Sequence, residues 1–202
     1  MTQITRLLAA SLLAASLLAV VMAPSPARAG ATAEQAARAV AETLVHDSYV
    51  AMTAADLDAS ARFARLTGVV AAAFAFDIWE RFLVGDRGLT PAQLDEFRAL
   101  LPGFLARLYA DRFGKGLDAE PEVSGTRSVR RDVMVAAAIP RANGKSLPVE
   151  YRVREFAGRG PLVIDIMVGG ISFLVLKRDE FKGLIDSRGI DGLLAYMREK
   201  AT

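Results

Sequence analysis

Apolar positions first recur with a helical period. Ala33 to about Met52 is Ala-rich and free of Pro and Gly, which predicts a helix. From about Asp58 to Phe74, Phe63, Leu66, Val70 and Phe74 fall on one helical face. Asp77, followed three residues later by Glu80, reads as an N-cap pair opening a short helix with Trp79, Phe82 and Leu83. Thr90-Pro91-Ala92-Gln93 is the clearest start signal: Thr90 caps, Pro91 suits the first helical position, and Gln93 completes a capping box. Leu89 and Leu94 suit a hydrophobic staple, and Leu94, Phe97, Leu101, Phe104, Leu105 and Leu108 continue as one stripe. Pro102 inside that helix predicts a kink near Arg98.

Beyond Gly116 the apolar period shortens from about 3.6 residues to about 2. Val133, Val135, Ala137 and Ile139 alternate with their neighbours, Asn143-Gly144 signals a hairpin, and Val149, Tyr151 and Val153 alternate with charged residues. Leu162, Ile164, Ile166 and Val168 form the inward row of a third strand, with a fourth near Glu122 to Arg127. Helical patterning returns around Leu174 to Asp186 and Ile190 to Lys200, with Gly189 as the stop between them. The expected class is α+β: helices, an antiparallel sheet, then helices.

Met1 to Ala29 stands apart. Arg6 precedes an apolar run from Leu7 to Ala23, Pro24 breaks it, and Ala27-Arg28-Ala29 offers small-x-small cleavage, the layout of a secretory signal peptide cut after Ala29. The competing reading is an uncleaved anchor, because the run sits at the lower limit for crossing a bilayer. Cleavage leaves one domain, residues 30–202, and removes Arg6 and Arg28, so the full chain's formal +2 charge belongs to the leader.

The chain has no Cys and one His, which excludes disulfides, thiolate nucleophiles, Cys-based zinc sites and HExxH chemistry. His46-Asp47-Ser48 holds the residue types of a hydrolase triad, but consecutive helical positions diverge by about 100°, so His46 is expected to pair with Glu42 on a solvated face. Gly158-x-Gly160 and Gly169-Gly170 lack the context of phosphate loops and read as turns or bulges. Arg127, Arg130, Arg131, Arg141, Lys145, Arg152 and Arg154 fit either a basic rim for an anionic group or a solvated sheet edge. Asp165 and Glu150 are candidate acids for an isomerase or hydratase, but alternation places both opposite the apolar stripe.

From Phe76 onward the order of motifs resembles the MlaC, or toluene-tolerance, family. Phe76-Asp77-Ile78, Leu89-Thr90-Pro91-Ala92-Gln93 and Leu108-Tyr109 match in the helical part. Pro148-Val149-Glu150-Tyr151-Arg152-Val153 resembles the family's P-V-D-Y-R-L strand, and Asp165-Ile166-Met167-Val168-Gly169-Gly170-Ile171-Ser172 its D-V-V-I-E-G-V-S stretch. Phe181 and Gly189-Ile190-Asp191-Gly192-Leu193-Leu194 fit its ending. Departures fall near Pro161, where the family carries a Trp, at Leu176-Lys177 in place of Asn-Tyr, and at Gly169, where an acid is common.

The resemblance implies a cone-shaped fold of the NTF2-like or cystatin-like kind, with lipid tails between helices and sheet. It implies a periplasmic, non-enzymatic carrier of phospholipid, or of hopanoid in a related branch. Its partners would be a membrane-bound ABC-type transport complex and an outer-membrane lipoprotein, and no cofactor is called for. The liners chosen from the inward stripes and the resemblance are Phe63, Phe74, Trp79, Leu105, Tyr109, Val135, Tyr151, Val153, Ile164 and Ile166. The other readings of the residues are a cone-shaped enzyme acting on an apolar small molecule and an envelope protein with a filled core.

Overall fold

The computed structural model describes residues 26–201 except Asp86 and Asp118, with side chains from Thr32 onward. The signal-peptide reading of residues 1–29 lies almost wholly outside the described residues. Helices α1 (Pro26–Thr53), α2 (Ala59–Ala73), α3 (Phe76–Leu83) and α4 (Pro91–Tyr109) lead into a π-helical turn at Ala110–Gly114. Strands β1 (Glu122–Val129), β2 (Asp132–Pro140), β3 (Ser146–Phe156), β4 (Gly160–Val168) and β5 (Ile171–Ser172) follow, and α5 (Phe173–Lys200) closes the chain. The strands form one antiparallel meander in sequence order. The expected α+β class is the observed one.

Local chemistry places the helix ends. Asp58 caps α2 by accepting the Ala61 amide at 2.8 Å. Thr90 and Gln93 complete their capping box on α4. At α3 the expectation fails: the N-cap is Ala75, and Asp77 lies inside the first turn. Its carboxylate instead takes both guanidinium nitrogens of Arg159, at 3.1 Å each, tying α3 to the β3–β4 turn. α5 breaks at Gly189, which has φ 69° and ψ −178°. Gly169 and Gly170, both at positive φ, make the tight turn from β4 into β5.

The inner face of the sheet is built in rows across strands. Val133, Val153 and Val163 form one row, Val135, Tyr151 and Ile166 the next, and Ala137, Val149 and Val168 a third. α1 runs along this face, burying Ala37, Ala41, Leu44, Ser48 and Ala51 at helical spacing. Its N-terminal half is pinned to β1, where Thr126 and Ser128 donate to Glu34 at 2.9 and 2.6 Å.

One expected strand pattern is corrected by a bulge. Arg152 pairs with Asp165, but the next residue, Val153, pairs with Val163, so Ile164 is an extra residue without a partner. The inward row of β4 is therefore Val163, Ile166 and Val168, and not the row that includes Leu162 and Ile164. Ile164 is buried on the opposite face, in a cleft of 340 Å³ with Ile78 and Phe82 of α3 and Leu174 and Val175 of α5.

Candidate functional site

The interior between helices and sheet is largely apolar, and its polar centre is a pair of tyrosines. Tyr109 reaches in from the end of α4 and Tyr151 from the middle of β3, and their hydroxyls meet at 2.9 Å. Both side chains are buried, and loss of solvent pushes both phenols above their ordinary pKa, Tyr151 further than Tyr109. Ser48 of α1 is buried beside them, and its Oγ approaches Tyr109 without completing a hydrogen bond. Three hydroxyls thus share one completed bond, an expensive arrangement in an otherwise dry interior. The Tyr109 ring packs edge-on against Phe113 of the π-helical turn, with centroids 4.6 Å apart.

Seven of the expected liners surround this point or extend its apolar wall: Phe74, Leu105, Tyr109, Val135, Tyr151, Val153 and Ile166 are all core residues. Trp79 is also core, packed against Phe74 and Phe173 at 5.9 and 6.5 Å, with its indole N–H buried and unpartnered. Phe63 is half-buried at the surface, in a cleft of 230 Å³ with Met52, Ala59, Arg62, Leu66, Arg107, Ala110 and Gly114. Arg107 stacks over its ring at 4.3 Å, and Arg62 donates to the carbonyls of Ala54 and Leu57. Ile164 is not brought to this site.

A second apolar cleft of 270 Å³ opens on the other side of α2, lined by Val40, Leu44, Val69, Ala72, Ala73 and Pro161 among others. α2 thus separates two clefts and buries only Leu66 and Val70 fully. A larger cleft, 670 Å³, lies elsewhere, between α3 and the first half of α4. Its wall carries the Glu80–Arg98 ion pair, with Asp77 and Arg81, and it touches none of the expected liners.

Several site residues escaped the sequence reading. Ser48 enters the sequence reading only as a member of the His-Asp-Ser string, yet Ala41, Leu44, Ser48 and Ala51 mark a buried stripe at intervals of three and four. His46 does face solvent, but it pairs with Glu120 at 2.6 Å and not with Glu42, which takes Arg38. Three of the seven candidate rim cations are neutralised. Arg127 pairs with Glu150, and Arg152 and Arg154 share the buried Asp132 carboxylate. Burial raises the pKa of Asp132, but the hydrogen bonds and charges of the two arginines outweigh it and hold the group below its ordinary value.

The sequence profile described as MlaC protein matches residues 33–199. The chain belongs to the MlaC family. No curated protein matches it. Among solved structures, the chain is similar to the phospholipid-binding protein of Ralstonia solanacearum, solved in complex with a phospholipid. The TM-score is 0.64 at 21% identity, over 82% of this chain and 96% of that one. At that identity the likeness is one of fold. Membership in the MlaC family makes a lipid-binding carrier the coarse assignment for this chain.

Proposed function

We propose that this MlaC-family chain is a periplasmic, non-enzymatic carrier that holds the acyl tails of a phospholipid between α2 and the inner face of the sheet and passes them between membrane-bound partners, an ABC-type complex among them. The observation that carries this reading is the interior itself, an apolar layer bordered by two small clefts along a lightly anchored helix, α2. Each CH₂ withdrawn from water is worth about 0.8 kcal/mol, so a tail in transit has to be covered along its length. Moving it from bilayer to pocket exchanges one apolar environment for another, and the carrier can therefore load and release. The two clefts fall below the roughly 300 Å³ at which small-ligand pockets begin, so tails enter only as α2 parts from α1 and α4. Phe63, Leu66 and Val70 would then join the lining. Phe82, Ile171, Val175 and Leu176, the exposed large apolar side chains among the described residues, flank α3, β5 and the start of α5, which suits contact with a partner.

The enzyme alternative needs a titratable group facing the interior. Glu150 is on the outer face with Arg127. Asp165 is also on the outer face, buried, where it accepts from Ser172 and from the Ile166 and Leu174 amides. Both of its candidates are committed to structural contacts.

The test is native mass spectrometry and lipid extraction on protein purified without detergent. Co-purifying phospholipid is expected, and a polycyclic lipid in its place would identify the hopanoid alternative. Phe63→Asp is expected to lose most of the bound lipid while remaining folded. Protein that carries no lipid after expression, and takes none from vesicles, would overturn the carrier reading.

A further inference from the structure

Many cations among the described residues are paired with acids. Arg38, Arg98, Arg127, Arg152, Arg154, Arg159, Arg178, Lys182 and Arg198 all reach carboxylates. One cleft departs from that pattern. It has a volume of 290 Å³, lies where the π-helical turn meets the β2–β3 hairpin, and is lined by Arg112, Arg141, Asn143, Lys145, Ser146 and Leu147. Among the described residues no carboxylate lines it, and none forms an ion pair with Arg112, Arg141 or Lys145.

We infer that Arg112, Arg141 and Lys145 form a binding site for a phosphate-class anion. Arg141 is the fixed element. Its guanidinium donates to the Arg112 carbonyl at 2.8 Å, to the Phe113 carbonyl at 3.1 Å and to the Lys115 carbonyl, which locks its plane against the π-helical turn. Those contacts supply no negative charge. Burial and the neighbouring Arg112 both push the Arg141 pKa down, the mark of a cation held beside another cation. An anion seated between them removes that repulsion and gains charge-assisted hydrogen bonds. Arg112 and Lys145 are exposed and, among the described residues, form no ion pair, so both can swing onto it. Asn143 Oδ1 is occupied by the Lys145 amide, at 3.1 Å, which leaves its NH₂ group as a further donor. Phosphate, with several acceptor oxygens and up to two charges, suits three converging cations better than a single carboxylate does.

None of the residues of the Phe63 cleft lines this one, so the inference stands apart from the lipid reading. The anion is either free phosphate or the phosphate of a lipid head group. Amide chemical shifts of Arg112 and Asn143 to Ser146 would be followed while the purified protein is titrated with inorganic phosphate, with sodium chloride at matched ionic strength as control. Saturable shifts with phosphate alone are expected. In the double variant Arg112→Gln/Lys145→Gln the apparent Kd should rise at least about tenfold, because two charged donors are gone. Arg141 is left intact, since its removal would strand three carbonyls. A parallel titration with sn-glycerol 3-phosphate separates the sources: tighter binding than inorganic phosphate assigns a head group, and weaker binding assigns free phosphate. Shifts that chloride reproduces, or that survive in the double variant, would overturn the site.

Discussion

Tyr109 and Tyr151, 42 residues apart in the chain, satisfy each other's hydroxyl across the helix–sheet interface at 2.9 Å. This is the one completed polar contact that the Ser48–Tyr109–Tyr151 group makes inside the apolar interior. Removing one hydroxyl leaves the other buried without a partner, at a cost of about 1–3 kcal/mol, while removing both leaves two well-packed rings. Tyr109→Phe and Tyr151→Phe are therefore each expected to destabilise, and the double variant to recover most of the loss. Urea unfolding of the four proteins completes the cycle. Additive losses would show that the two hydroxyls do not depend on each other.

The position of α2 between two clefts predicts how the lipid-free protein moves. With only Leu66 and Val70 fully buried, α2 has little apolar area holding it, whereas α4 buries Phe97, Leu101, Phe104, Leu105, Ala106 and Tyr109. Local opening free energy follows such burial. Hydrogen exchange at α2 amides is expected to be at least about tenfold faster than at the central turns of α4, and bound lipid should slow α2 selectively. Equal protection of the two helices would remove α2 as the moving part.

Much of this architecture was legible in the chain because local and tertiary preferences agree. At α4, the capping box, Pro91 and the Phe97–Leu101–Phe104 stripe all specify the same helix. Along β3, charged residues separate Val149, Tyr151 and Val153, so one register alone buries the apolar set. β4 lacks that contrast. Leu162, Val163, Ile164, Ile166, Met167 and Val168 are apolar on both faces, so alternation had nothing to distinguish in from out, and the bulge at Ile164 left no mark. Ser48 was missed for the opposite reason, as a polar residue inside a buried stripe. The anion cleft joins the end of α4 to a hairpin roughly 30 residues later, and no local pattern brings those segments together.

The outer face carries two buried aspartates whose environments predict opposite behaviour. Asp132 accepts from Arg152 at 2.7 Å and from Arg154 at 2.6 and 3.0 Å, and its pKa is lowered. Asp165 accepts only uncharged donors at hydrogen-bond distance, and burial raises its pKa. Asp132 thus stabilises the fold above its unfolded pKa of about 3.9, and the contribution is lost as pH falls through its lower folded value. The charged form of Asp165 costs stability above its raised folded pKa, and that cost disappears as pH falls toward about 3.9. At pH 7, Asp132→Asn should destabilise by about 2 kcal/mol, a value kept below that of a fully buried pair because Arg152 is 39% exposed. Asp165→Asn keeps an acceptor for both amides and should stay within about 1 kcal/mol of wild type or exceed it. Denaturant unfolding at pH 7 and pH 4 checks both: Asp165→Asn should approach wild type at pH 4, whereas Asp132→Asn should keep most of its deficit there, because the lowered folded pKa of Asp132 is not yet reached. A loss of several kcal/mol in Asp165→Asn at pH 7 would contradict the account.

Two glycines separate backbone demand from packing. Gly189 divides α5 at φ 69° and ψ −178°, a combination almost closed to residues with a Cβ, although a Cβ there would meet no atom within 4 Å. Gly189→Ala is therefore expected to cost about 1–3 kcal/mol through the backbone alone. Gly68 sits on the exposed face of α2, and a Cβ there also meets nothing within 4 Å. Gly68→Ala should add about 0.5–1 kcal/mol by restricting the unfolded chain and favouring helix. Because that gain acts on helix formation and not on the seating of α2 against its neighbours, lipid occupancy in Gly68→Ala should match wild type if α2 moves as an intact helix. Thermal unfolding and lipid extraction on the same preparation decide the point: a more stable protein with reduced lipid occupancy would mean that α2 has to unwind, not swing, to admit the tails.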